Sequence, residues 1–406
     1  ESGHGQEQHL GAEVVEHAPS SFPARSHNQP HSCGKENEEL CKDIARLKAV
    51  NLDDLDLDSR TWIRPPTDEA TCSLQKTIQG AVQRLSADLY SGEAHFLLEL
   101  LQNADDCTFA PGVLPSLTVT LVDDPQRFGE LTSFWRSGAP PKAMLAVAHN
   151  ELGFREENVR ALCDIGQSTK VKGGKKFIGA KGIGFKSVFR VTPTPVVHSS
   201  RFHFHFDANA LGGLGHLLPF PLPTPASFQE DHGTRLVLPL MEPATVKDVR
   251  SRVLEDLQPA LVLFLRQLSF VKVVDQSAGV QRTIRREISE DLITLHSAVI
   301  RRTQKGAEHM APVAPDDNDE PIDTKVETWL VHTHPISLQS FEHWPGVSEL
   351  KLAFRLDAED SGSGLEQQPA FAWLPLRSYG LRFIVQADWV VPSSREAITA
   401  NDPFNQ

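Results

Sequence analysis

Two short segments constrain this chain more than the rest of its 406 residues. One is FLLELLQNADDCTF, starting at Phe96; the other is FIGAKGIGFKSVF, from Phe177 to Phe189. In the first, the spacing of Glu99, Asn103 and Asp106 places all three on one helical stripe at about 100° per residue. Leu97, Leu101 and Ala104 fall on a separate, apolar stripe. A carboxylate and an amide held one turn apart can hold a metal ion and a water beside a phosphate. In the second segment, Gly179, Gly182 and Gly184 let backbone N–H groups approach that phosphate. The helix motif alone is weak, because an acidic helix face is ordinarily just its wet side. Together they predict bound ATP.

The glycine spacing excludes two familiar phosphate loops. Read in order it is GxxGxG, which is not the dinucleotide pattern GxGxxG. It nearly matches a P-loop, since Gly179 and Gly184 bracket four residues, but Phe185 separates the last glycine from Lys186-Ser187 and turns the lysine away. The better account is a loop entering a helix near Phe185, whose free N–H groups bind phosphate. Lys181 and Lys186 add charge there or are solvated surface lysines.

A net charge of −13 argues against an extended nucleic-acid surface. No apolar run approaches the ~20 residues a membrane helix needs. Cysteines 33, 41, 72, 107 and 163 are odd in number and scattered, with no CxxC pair. That predicts reduced thiols in a cytoplasmic or nuclear setting and no zinc site. The chain opens on Glu1, without an initiator Met, and is read as a fragment of a longer protein.

Residues 1–34 are rich in His, Ser, Pro and Gly and are expected to be disordered. Helices are expected at 36–49, at 73–90 with Leu74, Ile78, Ala81, Leu85 and Leu89 as the apolar stripe, near 155–163, and over a long apolar run at 246–268. Strands are expected at 117–122, 143–148, 201–206 and 234–240, and later at 270–275, 328–333, 349–356 and 381–387. In RFHFHF the alternation sets His203 and His205 on the face opposite the phenylalanines, which is read as a solvated sheet face. Polar loops are expected at 304–325 and 357–368.

The paired segments resemble the GHKL ATPases, the group of DNA gyrase B, the ninety-kilodalton heat-shock chaperones, MutL-type repair proteins and, more loosely, histidine kinases. Within it, ALCDIGQSTK, FIGAKGIGFKSVFRVT and VVHS look like the sacsin and NO VEIN type. The resemblance spans residues 73–240 and the later FAWLPLRSYGLRFIVQADWVVPSSRE. It implies a Bergerat fold of the α/β class, an α+β two-layer sandwich with a mixed β-sheet and a mobile lid. The expected organisation is a largely disordered, acidic segment at 1–70, an ATP-binding domain at 71–245 and a partial second α/β domain at 246–406.

By resemblance Glu99 matches the general base and Asn103 the Mg²⁺ ligand; Asp106, on the same stripe, orients that shell or supports the helix end. Gly179, Gly182 and Gly184 match the phosphate loop, with Lys181, Ile183, Phe185 and Lys186 beside them as further expected ATP-binding residues. The lid would run from Asp164 to Lys176, with Ser168, Thr169 and Lys170 near the phosphates. Gly233-Thr234 resembles the pair that supports adenine recognition. The family's adenine-anchoring Asp sits in DxGxG; here the stretch is HNELGF, His149 to Phe154, leaving Asn150 or Glu151 as acceptor beside Gly153. Arg395, in a Ser-Arg-Glu after a strand, resembles an arginine that reaches the γ-phosphate. The implied function is a Mg²⁺-dependent ATP-binding module with slow hydrolysis, lid closure and domain docking, serving protein clients or a scaffold. The alternative is a non-catalytic interaction module; a DNA-processing ATPase is disfavoured by the charge.

Overall fold

A computed structural model describes residues 30–57, 59–90, 96–123, 140–164, 184–225, 233–255, 257–301, 320–337, 347–357, 366–392, 397–402 and 405. The tail at 1–29, most of the lid and glycine segment at 165–183, and Arg395 lie outside them.

A small pair, β1 (Leu55–Asp56) and β2 (Thr61–Trp62), stands apart from the main sheet. The first half of the main sheet comprises β3 (Ser116–Val122), β4 (Ala143–His149), β5 (Val196–Ser199), β6 (Phe202–His205), β7 (Phe220–Pro221) and β8 (Thr234–Leu240). The later strands are β9 (Phe270–Asp275), β10 (Val280–Ser289), β11 (Leu292–Arg301), β12 (Glu320–Ser337), β13 (Val347–Arg355), β14 (Pro369–Ala372), β15 (Leu374–Ser378) and β16 (Ile384–Gln386). Among the described residues these form one fourteen-stranded sheet, ordered β15-β14-β16-β13-β12-β11-β10-β9-β3-β4-β8-β5-β6-β7. The sheet is mixed: β3–β9 and β14–β16 pair parallel, and the other pairs are antiparallel. The class is therefore α/β with a large mixed sheet and several helices.

Alternation along the strands builds the core. Leu117, Val119 and Leu121 of β3, with Leu145 and Val147 of β4 and Leu236, Leu238 and Leu240 of β8, bury one face. Five α-helices are described: α1 (Pro30–Arg46), α2 (Glu69–Tyr90), α3 (Phe96–Asp105), α4 (Glu156–Leu162) and α5 (Pro243–Glu255). Phe96, Leu97, Leu101 and Ala104 of α3 and Val246, Val249 and Val253 of α5 join that core. The opposite face carries a smaller cluster of Val122, Met144, Val196 and Val237.

Several expectations are corrected. The long helix at 246–268 is α5 followed by a 3-10 turn, Pro259–Phe264, because Pro259 has no N–H to continue the ladder. In α2 Leu74 is 50% exposed, while Gln75 and Val82 are buried. The glutamines turn inward because Gln75 Nε2 donates to the Ala49 carbonyl and Gln79 Nε2 to that of Leu211, both at 2.8 Å. His203 and His205 do not face solvent: with His198 they are buried on β5 and β6, and Asn37 of α1 bonds both backbone groups of His203. The hairpin of β10 and β11 and the start of β12 occupy stretches that the sequence reading left without strands. The helix expected at Phe185 is a 3-10 turn, Gly184–Arg190.

Candidate functional site

The polar stripe of α3 meets the end of the glycine segment. Glu99, Asn103 and Asp106 are each half-buried. A Cβ built on Gly184 would lie 2.6 Å from Glu99 Oε2 and 3.7 Å from Asn103 Nδ2. Only glycine lets the backbone approach the carboxylate so closely. The two segments that the sequence singled out are thus brought side by side at Glu99, Asn103 and Gly184.

A second polar group lies beyond the other end of α3. Cys107, one turn past Asn103, directs its thiol to the Asn103 carbonyl at 3.2 Å. Near it His149 Nδ1 stands 3.9 Å from Glu151 Oε1, both side chains 7% exposed. Cys107, His149 and Glu151 bring their ligand atoms within 4.8 Å of one another. The Thr234 hydroxyl donates to Glu151 Oε1 at 2.5 Å. Ser199 Oγ lies 2.5 Å from Thr234 Oγ1 and accepts the Phe154 N–H at 2.8 Å. With each hydroxyl donating onward, the chain runs from Phe154 through Ser199 and Thr234 and ends at the carboxylate. Burial holds His149 below the ordinary histidine range, opposed by the nearby Glu151 carboxylate. Gly153 takes φ +87°, and a Cβ there would meet Ser200 Cβ at 2.8 Å, so the turn that carries Glu151 requires it.

Two residues expected at the nucleotide are engaged elsewhere. The Asn150 amide accepts the Ser116 N–H at 2.8 Å and donates to the Leu114 carbonyl at 2.9 Å, closing the entry to β3. Of the two acceptors left open for adenine, Glu151 is the one that meets Thr234. Lys186 Nζ donates to the carbonyls of Leu162 and His216, both at 2.6 Å, and lies 4.7 Å from the Phe206 ring centre. Burial pushes this ammonium down to about 8. Lys186 therefore ties the turn to two neighbouring segments instead of reaching toward phosphate. Phe185 is buried against Phe206, 5.7 Å between ring centres. Ser168, Thr169, Lys170, Gly179, Lys181, Gly182, Ile183 and Arg395 lie outside the described residues.

One residue that the sequence reading passed over anchors the site helix. Asp105 is buried, and its carboxylate accepts the backbone N–H groups of Arg266, Gln267 and Leu268 at 2.8–2.9 Å. Gln267 returns two bonds, to the carbonyls of Asp105 and Cys107. Its position offered a signal, because Asp105 sits beside the apolar stripe and away from Glu99 and Asn103.

Comparison with known proteins shows what the chain is similar to. A family model for the sacsin domain matches residues 82–212. Protein NO VEIN of Arabidopsis thaliana is 35% identical over 347 residues, covering 80% of this chain and 11% of that protein. Sacsin of Homo sapiens is 33% identical over 106 residues, covering 26% of this chain and 2% of that protein. The chain therefore spans only a small part of the curated relatives it matches. The B-subunit of the DNA gyrase from Myxococcus xanthus aligns with TM-score 0.28 and 13% identity, over 54% of this chain and 67% of that one. Likeness at that level leaves the fold to be read from the strands themselves. No helix among the described residues is long and apolar enough to cross a membrane. Residues 82–212 are thus similar to the sacsin domain, and most of the chain is similar to a part of Protein NO VEIN.

Proposed function

We propose that this chain is a Mg²⁺-dependent ATP-binding module that hydrolyses ATP slowly and passes nucleotide state to a longer protein as a change of shape. The observation that carries the reading is the contact of Glu99 and Asn103 with Gly184. Glu99 orients a water and takes its proton as the water oxygen bonds to the γ-phosphorus and the bond to the β-phosphate oxygen breaks. The Asn103 amide oxygen is the protein's ligand to the metal, an oxygen donor suited to a hard cation, with Asp106 supporting it. With Mg²⁺ bound, the negative charge gathered on the phosphates is neutralised. Thr234 and Glu151 serve the base end. Gly179, Lys181, Gly182 and Ile183, with Ser168, Thr169 and Lys170 of the lid, are assigned to the phosphates, and Arg395 to the γ-phosphate. Closure and docking then act on protein clients or a scaffold in a cytoplasmic or nuclear setting, a setting supported by the unbridged Cys41, Cys72, Cys107 and Cys163.

A non-catalytic interaction module is the second reading. It is favoured by Lys186 and Asn150, whose polar groups are committed to backbone partners. Calorimetric titration with ATP, ADP and GTP, each with and without Mg²⁺, separates the two. Mg²⁺-dependent ATP binding with phosphate release supports the first; binding that ignores Mg²⁺, or none, supports the second.

A further inference from the structure

We propose that Cys107, His149 and Glu151 form a binding site for a divalent transition-metal ion of the Zn²⁺ class. The three donors come from the bend just past α3, the end of β4 and the turn after it, and their ligand atoms lie within 4.8 Å of one another. Zinc sites take sulfur at ~2.3 Å and imidazole nitrogen or carboxylate oxygen at ~2.0–2.2 Å, which puts tetrahedral ligand atoms roughly 3.3–3.6 Å apart. The His149–Glu151 separation of 3.9 Å is already close to that spacing.

Three further features point to an ion. His149 Nδ1 is buried and has no hydrogen-bond partner among the described residues. An orphaned buried acceptor is costly, and a metal ion would use its lone pair. The hydrogen-bond chain through Ser199 and Thr234 holds the Glu151 carboxylate in place at Oε1, as outer-shell partners do at metal sites. Charge also closes: a dication with one thiolate and one carboxylate is neutral, the condition a buried site needs. Binding releases the Cys107 thiol proton to solvent, breaks the thiol bond to the Asn103 carbonyl and forms the metal–sulfur bond, with no change of oxidation state. His149 binds through Nδ1, with its proton on Nε2. Three protein ligands leave a fourth position open for water or a ligand. Cysteine spacing could not reveal the site, because the ligands come from separate segments and only one is a cysteine. The inference goes beyond the nucleotide reading but shares Glu151 with its base end, so its test is made without nucleotide.

The full chain is dialysed against buffered Zn²⁺ and its metal content measured; a parallel sample is titrated with Co²⁺ and followed by absorbance. One tightly held equivalent and a thiolate-to-cobalt charge-transfer band are expected. The band should vanish in Cys107→Ser, and Thr234→Val should weaken binding about 10–100-fold through the carboxylate it orients. No stoichiometric uptake by the parent chain overturns the proposal. So does an unchanged band in Cys107→Ser, which would place the ion elsewhere, for instance among the N-terminal histidines and Cys33. Should Cys107→Ser fail to fold, X-ray absorption of the zinc-loaded parent decides. One sulfur with imidazole and oxygen supports the site; a shell without sulfur, or with two sulfurs, refutes it.

Discussion

Single side chains separate what the sequence made legible from what it hid. Glu99, Asn103 and Gly184 were readable because helical spacing and a glycine cluster are local signals, and the fold brings them together. Lys186, which the sequence leaves open between added charge at the phosphate and a solvated surface lysine, has partners that local spacing could not reveal. They are two carbonyls and aromatic rings, one of them on distant Phe206. The Gly184 contact supports a sharp expectation. In Gly184→Ala the new methyl group would crowd Glu99 Oε2, the movable end of a side chain, so the carboxylate swings away while the backbone stays. Turnover should then fall as in Glu99→Ala, by about 10²–10⁴-fold, the range for losing a general base. Thermal stability should change little. The double variant should be no slower than Glu99→Ala, because both changes remove one interaction. Steady-state phosphate release measures all three. Additive losses, or full activity in Gly184→Ala, would dissociate Glu99 from the glycine segment.

Elements were legible where an apolar period ran undisturbed, as in β3, β4, β8 and α3. They were missed where a buried polar residue broke it. In β10 the arginines obscure the alternation; Arg286 is buried because its guanidinium donates to the carbonyls of Val262 and Leu265, neither of them near in sequence. The same holds for Asp105, which fastens α3 to the segment leading into β9. Removing that carboxylate leaves three amide groups without their acceptor, each worth ~1–3 kcal/mol when buried. Asp105→Ala is therefore expected to lower unfolding free energy by about 3 kcal/mol or more. Asp106→Ala, one position on and half-buried, should stay within about 0.5–1 kcal/mol. Denaturant titration compares the two, and equal losses would mean that the anchor is not the determinant of α3 stability.

Across the whole molecule, the sheet crosses the boundary expected at 245 without a break, since β9 pairs parallel with β3. Parallel pairing between distant segments leaves no local trace in a sequence, so the continuity could not be read there. Burial on both faces of that sheet has a consequence for acid stability. Burial pushes His198 down to about 3, reinforced by His203 and Arg235. It pushes His203 down to about 4, and His205 to about 3 with Arg60 adding to the effect. Each is neutral in the fold, and each would titrate near ~6.5 in the unfolded chain. The unfolded state therefore takes up protons first as pH falls. Stability is fully present above about pH 6.5 and is lost progressively between there and the folded values near 3–4. At pH 5 the deficit is roughly 2 kcal/mol per histidine, several kcal/mol for the three. Urea unfolding at pH 7.5 and at pH 5 should show this drop, while most carboxylates remain ionised over that interval. Replacing His198 and His203 together by Gln should flatten the dependence, because their facing Nδ1 atoms, 3.2 Å apart, make protonation of either costlier for the other. A parent chain equally stable at both pH values would show that these rings find water in the fold.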